Sequence, residues 1–184
     1  MSTEHSALLE EYFFSIEQAA GLGPVLDLAC GSGRNGRYLT KRGISTVFAD
    51  LSATALDAVS AQLTDTDRSL ATLWQIDLEQ PQPEPLELRQ FGGIMVFRYL
   101  HRALMSNIKN SVIPGGIVIY ETFTTEQALL GRPKNPHYLL NPDELLETFS
   151  DWNILYSFEG IVSGAGNESP TAIAQLVALK PDRA

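Results

Sequence analysis

The sequence predicts an α/β fold: a three-layer sandwich in which helices cover both faces of a seven-stranded, mostly parallel sheet with an antiparallel last strand. Three observations carry this prediction. Short apolar segments alternate with helical segments, which is the pattern of a parallel sheet. Residues 93–97 are continuously apolar, as in a strand that is buried on both faces. Two strand-like segments follow each other near residue 180, and such a pair is antiparallel.

Seven segments have the composition of strands, because apolar, β-branched or aromatic residues stand between turn residues. They are residues 25–28, 44–49, 70–76, 93–97, 117–122, 152–159 and 172–179. Pro114-Gly115-Gly116 predicts a turn directly before the fifth strand. A glycine-containing connection joins the last two strands.

Apolar residues at helical spacing predict the helices between these strands. They cover residues 6–19, 34–42, a segment after Ser52, residues 101–110 and a segment after Asn141. Gly43 suits a C-terminal cap, and Ser52 suits an N-terminal cap. At the last helix, Asn141 is the predicted cap, with Pro142 in the first turn and Glu144 three residues beyond the cap.

Length and composition favour one domain over residues 1–184, with an N-terminal helix in 1–23, a core in 24–180 and a long loop at 123–140. The net charge of −9 argues against a nucleic-acid partner, which a basic protein surface would favour. The acidic N-terminus lacks the features of a signal peptide, and no apolar run suits a membrane span. A single cysteine excludes an internal disulfide. We therefore expect a cytoplasmic protein without a metal site or a membrane contact; the oligomeric state stays open.

A glycine-rich segment follows the first strand, and Gly31-Ser32-Gly33-Arg34-Asn35-Gly36 matches G-x-G-x-x-G. This pattern is typical of dinucleotide sites, where a pyrophosphate lies at the N-terminus of the helix. Here, however, Asp27 ends the strand before the glycines. A carboxylate at that point repels a pyrophosphate and suits a cofactor with a cationic amino-acid end. A nicotinamide-dependent oxidoreductase is therefore the weaker alternative.

Two more acidic residues follow the next two predicted strands. Asp50 can accept hydrogen bonds from both hydroxyls of a ribose, and Asp77 can accept one from an adenine amino group. Ligands of such sheets bind beyond the carboxyl ends of the strands, which is where these residues lie. Each aspartate alone also suits a turn or a helix cap. Three together, beside the glycines, favour a cofactor site, and Cys30 within it is interpreted as a small core residue.

In these motifs the sequence resembles the class I S-adenosylmethionine-dependent methyltransferases. DLACGSGRN resembles their first motif, ADLS their second and QIDLE their third, and the resemblance spans residues 24–180. It implies a Rossmann-like fold and S-adenosylmethionine as the cofactor. Ala29 stands where many members have glycine, and we expect a tighter fit there rather than lost binding. The implied cofactor-binding residues are Asp27, Ala29, Gly31, Gly33, Asn35, Asp50, Leu51, Asp77, Leu78 and Phe97.

The segment after the fourth strand, residues 97–102, lies nearest the methyl group in the resembling family. It lacks the Asn-Pro-Pro-Tyr motif of many nucleic-acid and protein-glutamine members, and the similar Asn-Pro-His-Tyr at 135–138 lies in the long loop instead. Cations cluster in both segments and favour an anionic acceptor. The predicted acceptor-binding residues are Arg98, Tyr99, Arg132, Lys134 and His137, and the predicted catalytic residues are His101 and Glu121.

The long loop, the helix after it and the strand with Trp152 also resemble the tellurite-resistance-type small-molecule methyltransferases. This resemblance implies a small acceptor, either anionic or thiol-like, and a loop that covers the site as a lid. Two alternatives stay open: a methyltransferase that acts on RNA or protein, and a module that binds S-adenosylmethionine without catalysis.

Overall fold

The computed structural model describes residues 5–80, 86–163 and 169–182, apart from the side chain of Glu87. Within these residues seven strands form one sheet. They are β1 (Val25–Leu28), β2 (Thr46–Asp50), β3 (Ala71–Gln75), β4 (Phe91–Phe97), β5 (Val112–Phe123), β6 (Asn153–Val162) and β7 (Thr171–Leu179). Their order in the sheet is β3-β2-β1-β4-β5-β7-β6. The first five strands pair in parallel, and β7 is antiparallel to both β5 and β6. The predicted fold class is confirmed.

Helices lie on both faces of this sheet. They are α1 (Ala7–Glu11), α2 (Phe13–Ala20), α3 (Arg34–Thr40), α4 (Ala53–Ala61), α5 (Asp65–Leu70), α6 (Met105–Ser111), α7 (Gln127–Leu130) and α8 (Glu144–Thr148). Three short 3-10 helices cover Leu86–Leu88, Arg102–Leu104 and Pro136–Tyr138. The pleat of β1 separates the two faces: Val25 packs with α1, α2 and α3, whereas Leu26 packs with α6 and α8.

The predicted N-terminal helix is two helices. Tyr12, at φ −104° and ψ 17°, leaves the helical conformation between α1 and α2. Its ring lies 5.9 Å from that of Tyr156 in β6. α2 then approaches β4 so closely that the backbone of Gly92 lies against Ala19. This tertiary packing explains a break that the apolar spacing alone did not predict.

The predicted cap of the last long helix is wrong. α8 begins at Glu144, and its N-cap is Asp143 in the left-handed conformation. The main chain and the side chain of Asn141 both donate hydrogen bonds to Oε2 of Glu144, at 2.8 and 2.9 Å. The Glu144 carboxylate therefore binds Asn141, which precedes the helix, and it also binds Arg102.

Two other segments differ from their predictions. The turn at 114–116 lies inside β5, which begins at Val112 and carries Gly115 at φ +77°. The loop at 123–140 contains α7 and a 3-10 helix, and Thr124 forms a bridge with Leu140. Helix α5, before β3, was not predicted at all. Part of the glycine-containing connection between β6 and β7 lies outside the described residues.

Among the described residues, no helix is long and apolar enough to cross a membrane. In the same part of the chain, His, Cys, Asp and Glu side chains form no group of three placed to hold a metal ion.

Candidate active site

The glycine loop between β1 and α3 is built from positive φ angles. Ala29, Gly31 and Gly33 have φ values of 55°, 52° and 66°. Glycine adopts this conformation at no steric cost, whereas a left-handed alanine costs about 1 kcal/mol. At Gly33 a Cβ atom would also lie 2.5 Å from Val59. The backbone conformation of the loop thus explains why glycine stands at positions 31 and 33. Ala29 adopts a strained conformation at the mouth of the site.

Asp27 lies beneath this loop rather than in an open cavity. Its side chain is 3% exposed, and its Oδ2 atom accepts a hydrogen bond of 2.9 Å from the Gly36 N–H of α3. A Cβ at position 36 would lie 2.2 Å from the ring of Phe48 and 2.9 Å from the carboxylate. Gly36, the third glycine of the motif, therefore allows α3 to pack closely on the sheet. Burial raises the pKa of Asp27 to about 7, although the Gly36 N–H and Arg34 act to lower it.

Asp50 connects the glycine loop to the end of β2. Its Oδ2 atom accepts a hydrogen bond of 2.8 Å from the Gly31 N–H, and its Oδ1 atom accepts one of 2.9 Å from the Ser52 N–H. Ser52 caps α4, as the sequence predicts, because its side chain accepts from the Ala55 N–H. The carboxylate is thereby fixed in one orientation, with lone pairs left for a ligand.

A cavity of about 440 Å³ opens at the carboxyl ends of β1, β2, β3 and β4. Its lining consists of Ala29, Asp50, Leu51, Ile76, Asp77, Leu78, Glu79 and Tyr99. Asp77 accepts hydrogen bonds from the Glu79 N–H at 3.0 Å and from the Gln80 side chain at 3.2 Å. Five predicted cofactor-binding residues thus meet in one cavity, as expected where parallel strand ends share an edge.

Comparison with known families shows the family to which this chain belongs. The model of the methyltransferase domain family matches residues 25–116, which is half of the chain and includes the glycine loop and the carboxyl ends of β1 to β4. The chain belongs to this methyltransferase family. No curated protein matches the chain in sequence.

Several solved structures share the fold of this methyltransferase. TehB from Haemophilus influenzae has a TM-score of 0.72 at 21% identity, and the match covers 91% of this chain and 62% of TehB. The chain thus spans less than two thirds of TehB. The glycopeptide N-methyltransferase MtfA, complexed with S-adenosylmethionine, has a TM-score of 0.66 at 18% identity, covering 97% of this chain and 88% of MtfA. A methyltransferase from Methanosarcina mazei has a TM-score of 0.67 at 13% identity, covering 98% and 100%.

The family assignment confirms the prediction of a class I S-adenosylmethionine-dependent methyltransferase. The cavity fits that cofactor by its own chemistry. Two carboxylates, Asp50 and Asp77, offer acceptors for ribose hydroxyls and an adenine amino group, and Leu51, Ile76 and Leu78 offer apolar surface for the base.

The other predicted cofactor residues lie around the cavity rather than in its lining. Asn35 is buried, and its side-chain oxygen accepts a hydrogen bond of 2.9 Å from the Ser6 N–H, so it ties the N-terminal segment to α3. Phe97 packs in the core with α1 and α2. Tyr99, predicted to bind the acceptor, instead lines the cavity with Asp50. Burial raises the pKa of Tyr99, so its hydroxyl stays a neutral donor.

A second polar cluster lies at the ends of β4 and β5. Arg98, at φ +59°, forms an ion pair of 3.1 Å with Glu121, and its guanidinium lies 4.6 Å from the centre of the Phe123 ring. The Arg98 N–H also donates a hydrogen bond of 2.7 Å to the Glu121 carbonyl. Burial lowers the pKa of Arg98, Glu121 acts to raise it, and the nearby Arg34 lowers it again. A strained residue held by this many contacts is common at functional sites.

Two residues of this cluster were not predicted from the sequence as site residues. Gln175 in β7 donates a hydrogen bond of 2.6 Å to Oε2 of Glu121, and the Tyr156 hydroxyl in β6 lies 3.3 Å from the Gln175 side-chain oxygen. One signal was available, since Gln175 is a polar residue in the middle of the otherwise apolar segment AIAQLVAL. Nothing in the sequence linked it to Glu121, which lies 54 residues away.

His137 and His101 line a second, smaller cavity beyond the end of β4. This cavity of about 350 Å³ is lined by Glu79, Leu100, His101, Arg102, Ala103, Asn135, His137 and Tyr138. It shares Glu79 with the larger cavity. Arg102 binds the Glu144 carboxylate and the carbonyls of His137 and Leu139, so it fastens the long loop to the end of β4. Arg132 and Lys134 are exposed and line neither cavity.

We expect Glu121→Gln to lower the free energy of unfolding by about 1–3 kcal/mol, because it leaves the half-buried Arg98 guanidinium without its counter-charge. Urea unfolding followed by circular dichroism measures the change. Glu126→Gln, on the exposed start of α7, is the matched control. Equal stabilities of the two variants would contradict an energetic role for the Arg98–Glu121 pair.

Proposed function

We propose that this methyltransferase transfers the methyl group of S-adenosylmethionine to a small acceptor that is anionic or thiol-like. The observation that carries the proposal is the Arg98 guanidinium, which is held at the end of β4 and is one third exposed. Arginine presents a planar fork of N–H donors that matches a carboxylate or another oxyanion.

The surroundings of Arg98 support recognition rather than a purely structural role. Glu121 and Phe123 fix the guanidinium, so little side-chain entropy is lost when it binds a ligand. Arg34, at the start of α3, is close enough to act on the pKa of Arg98. Arg34 therefore adds a second cation near Arg98 in a protein whose net charge is −9. A guanidinium that is fixed in a partly exposed position favours an anionic ligand.

The mechanism follows from what methyl transfer requires. Bound S-adenosylmethionine supplies an electrophilic methyl group on a sulfonium. Arg98 holds the acceptor and orients it, and orientation alone supplies much of the rate of such a reaction. Glu121 binds Arg98 and Gln175 and thereby fixes the guanidinium. It serves as a base only for an acceptor that arrives protonated, once that acceptor has taken its place on Arg98.

His101 and His137 have a different role in this proposal. They share the smaller cavity with Arg102, beyond the end of β4. We assign them, together with the exposed Arg132 and Lys134, to steering anions toward the mouth of the site rather than to proton transfer.

Among the similar folds, MtfA is a glycopeptide N-methyltransferase, so this fold is compatible with an acceptor that is neither RNA nor protein. The net charge of −9 disfavours the alternative of RNA as the substrate. The cytoplasmic location, the single domain and the absence of a nucleic-acid partner stay predictions.

The test is a turnover screen that measures S-adenosylhomocysteine production with small thiols, amines and oxyanions, each carboxylate paired with its neutral amide. We expect anionic or thiol acceptors to be methylated. We also expect Arg98→Met to raise KM for the best anionic acceptor by about 100-fold, because the variant loses one charge-assisted bidentate contact. Arg68→Met, on the exposed face of α5, is the matched control. Equal turnover of the neutral amides, or methylation of RNA or protein extracts alone, would refute the proposal.

A further inference from the structure

The Glu121 carboxylate binds a different partner with each of its two oxygen atoms. Its Oε1 atom lies 3.1 Å from Nη2 of Arg98, and its Oε2 atom accepts a hydrogen bond of 2.6 Å from Nε2 of Gln175. The Glu121 side chain is 8% exposed, so water has little access to it. Arg98 and Gln175 therefore set the direction in which the carboxylate faces.

The sheet places Gln175 at this carboxylate and holds its amide in one orientation. Strands β5 and β7 are antiparallel, and their register puts Glu121 and Gln175 directly opposite each other. The Tyr156 hydroxyl in β6 donates a hydrogen bond of 3.3 Å to Oε1 of Gln175. A carboxylate has no hydrogen to donate, so the amide turns its NH2 group toward Glu121 and its oxygen toward Tyr156.

The ion pair of Arg98 is consequently one-sided. Among the described residues, the acidic partner of its guanidinium is Oε1 of Glu121, which contacts Nη2. Arginine and a carboxylate frequently form two parallel hydrogen bonds, which occupy a whole edge of the guanidinium. Here Gln175 holds the second oxygen of Glu121. The other N–H groups of Arg98 are therefore not taken by Glu121, and the side chain stays one third exposed.

We propose that Gln175 is a positioning residue for the methyl acceptor: it holds the second oxygen of Glu121 and thereby keeps Glu121 from closing on Arg98 as a bidentate pair. The inference rests on the proposed function, in which Arg98 binds an anionic acceptor. Without Gln175, Oε2 of Glu121 turns to Arg98, and the acceptor then competes with that carboxylate for the same N–H donors. Tyr156 supports this role because it fixes the amide of Gln175.

Reaction of Arg98 with phenylglyoxal, which modifies guanidinium groups that are not held in bidentate pairs, tests the proposal. The full chain is treated at pH 8, and mass spectrometry of its peptides gives the rate at Arg98 relative to the exposed Arg132. Gln175→Met keeps the length of the side chain and removes both polar ends. We expect Arg98 to react about tenfold more slowly in this variant, the equivalent of one additional charge-assisted hydrogen bond. Gln18→Met, exposed on α2, is the matched control and should leave the rate unchanged.

A double variant separates this mechanism from a general change in structure. An amide at position 121 cannot form the charged bidentate pair, so Gln175→Met should not slow Arg98 in a Glu121→Gln background. Tyr156→Phe keeps the proposal testable if Gln175→Met does not fold. It should slow Arg98 about threefold, as expected for the loss of one neutral hydrogen bond. With the best anionic acceptor of the turnover screen, Gln175→Met should raise KM and leave kcat unchanged.

A rate at Arg98 in Gln175→Met that equals or exceeds the wild-type rate would overturn the proposal. Slowing of the same size in the Glu121→Gln background would overturn it as well. The proposed function fails by a different result, since an unchanged KM in Arg98→Met refutes anion recognition by Arg98. A raised KM in Arg98→Met, together with an unchanged Arg98 rate in Gln175→Met, refutes the role of Gln175 alone.

Discussion

Asp50→Ala is expected to weaken the binding of S-adenosylhomocysteine by about 100-fold or more. Two hydrogen bonds from ribose hydroxyls to a charged acceptor are worth about 1.5–3 kcal/mol each, and tenfold in affinity corresponds to about 1.4 kcal/mol. The same substitution removes the acceptor of the Gly31 N–H and the Ser52 N–H, at 2.8 and 2.9 Å. The glycine loop loses its link to β2 at the same time, so both effects act in one direction.

Isothermal calorimetry measures this loss, with Asp57→Ala on the outer face of α4 as the control. Asp50→Asn separates the two contributions, because an amide keeps one oxygen for a backbone N–H and loses the charge. We expect it to bind more tightly than Asp50→Ala and more weakly than the wild-type protein. If Asp50→Ala bound S-adenosylhomocysteine with an affinity within threefold of the wild-type protein, Asp50 would not be a cofactor-binding residue.

Among Gly→Ala substitutions at the glycines that the structure describes, Gly92→Ala is expected to cause the largest loss of stability. A Cβ at this position would lie 2.0 Å from the carbonyl oxygen of Ala19 and 2.6 Å from that of Gly23. Both atoms belong to the main chain and cannot turn aside as a side chain can. Either α2 moves away from β4, or the strand bends, and a forced backbone shift of this kind costs about 3 kcal/mol or more.

Thermal unfolding provides the measurement, and we expect a decrease in Tm of about 10 °C for a chain of this size. Gly131→Ala is the control, since φ is 174° there and the nearest atom to a new Cβ, in the Gln127 side chain, lies 3.6 Å away. Gly93→Ala should be intermediate, because its close neighbour at 2.9 Å is the side chain of Ile117. A Gly92→Ala protein as stable as Gly131→Ala would mean that α2 does not pack on β4 in this way.

Much of the fold followed from the sequence because each of its signals is local. Apolar runs such as residues 93–97 predicted strands, helical spacing predicted helices, and Ser52 predicted a cap that the structure confirms. The failures have tertiary causes. Tyr12 breaks the first helix where it meets Tyr156, and Asp143 replaces Asn141 as the N-cap of α8, where Glu144 binds both Asn141 and Arg102.

The same distinction between local signals and tertiary contacts applies to the candidate site. By itself the sequence determined which residues stand at the ends of parallel strands, and those ends share one edge of the sheet, so Asp50 and Asp77 meet in one cavity. Only the tertiary structure decided which way each side chain points. The pleat of β1 turns Asp27 toward α3, away from the open cavity, and Tyr99 turns toward the cofactor residues.

The acceptor side depended most on tertiary structure. Glu121 lies in β5 and binds Arg98, whereas His101 lies beyond β4 and lines the smaller cavity, although the sequence grouped the two as one set. Gln175 reaches Glu121 because β7 returns antiparallel beside β5 and places the two residues directly opposite each other. Motif spacing specifies local backbone geometry and therefore the cofactor loop. Contacts between distant strands depend on register and on the face of the sheet, and these exist only once the whole sheet has formed.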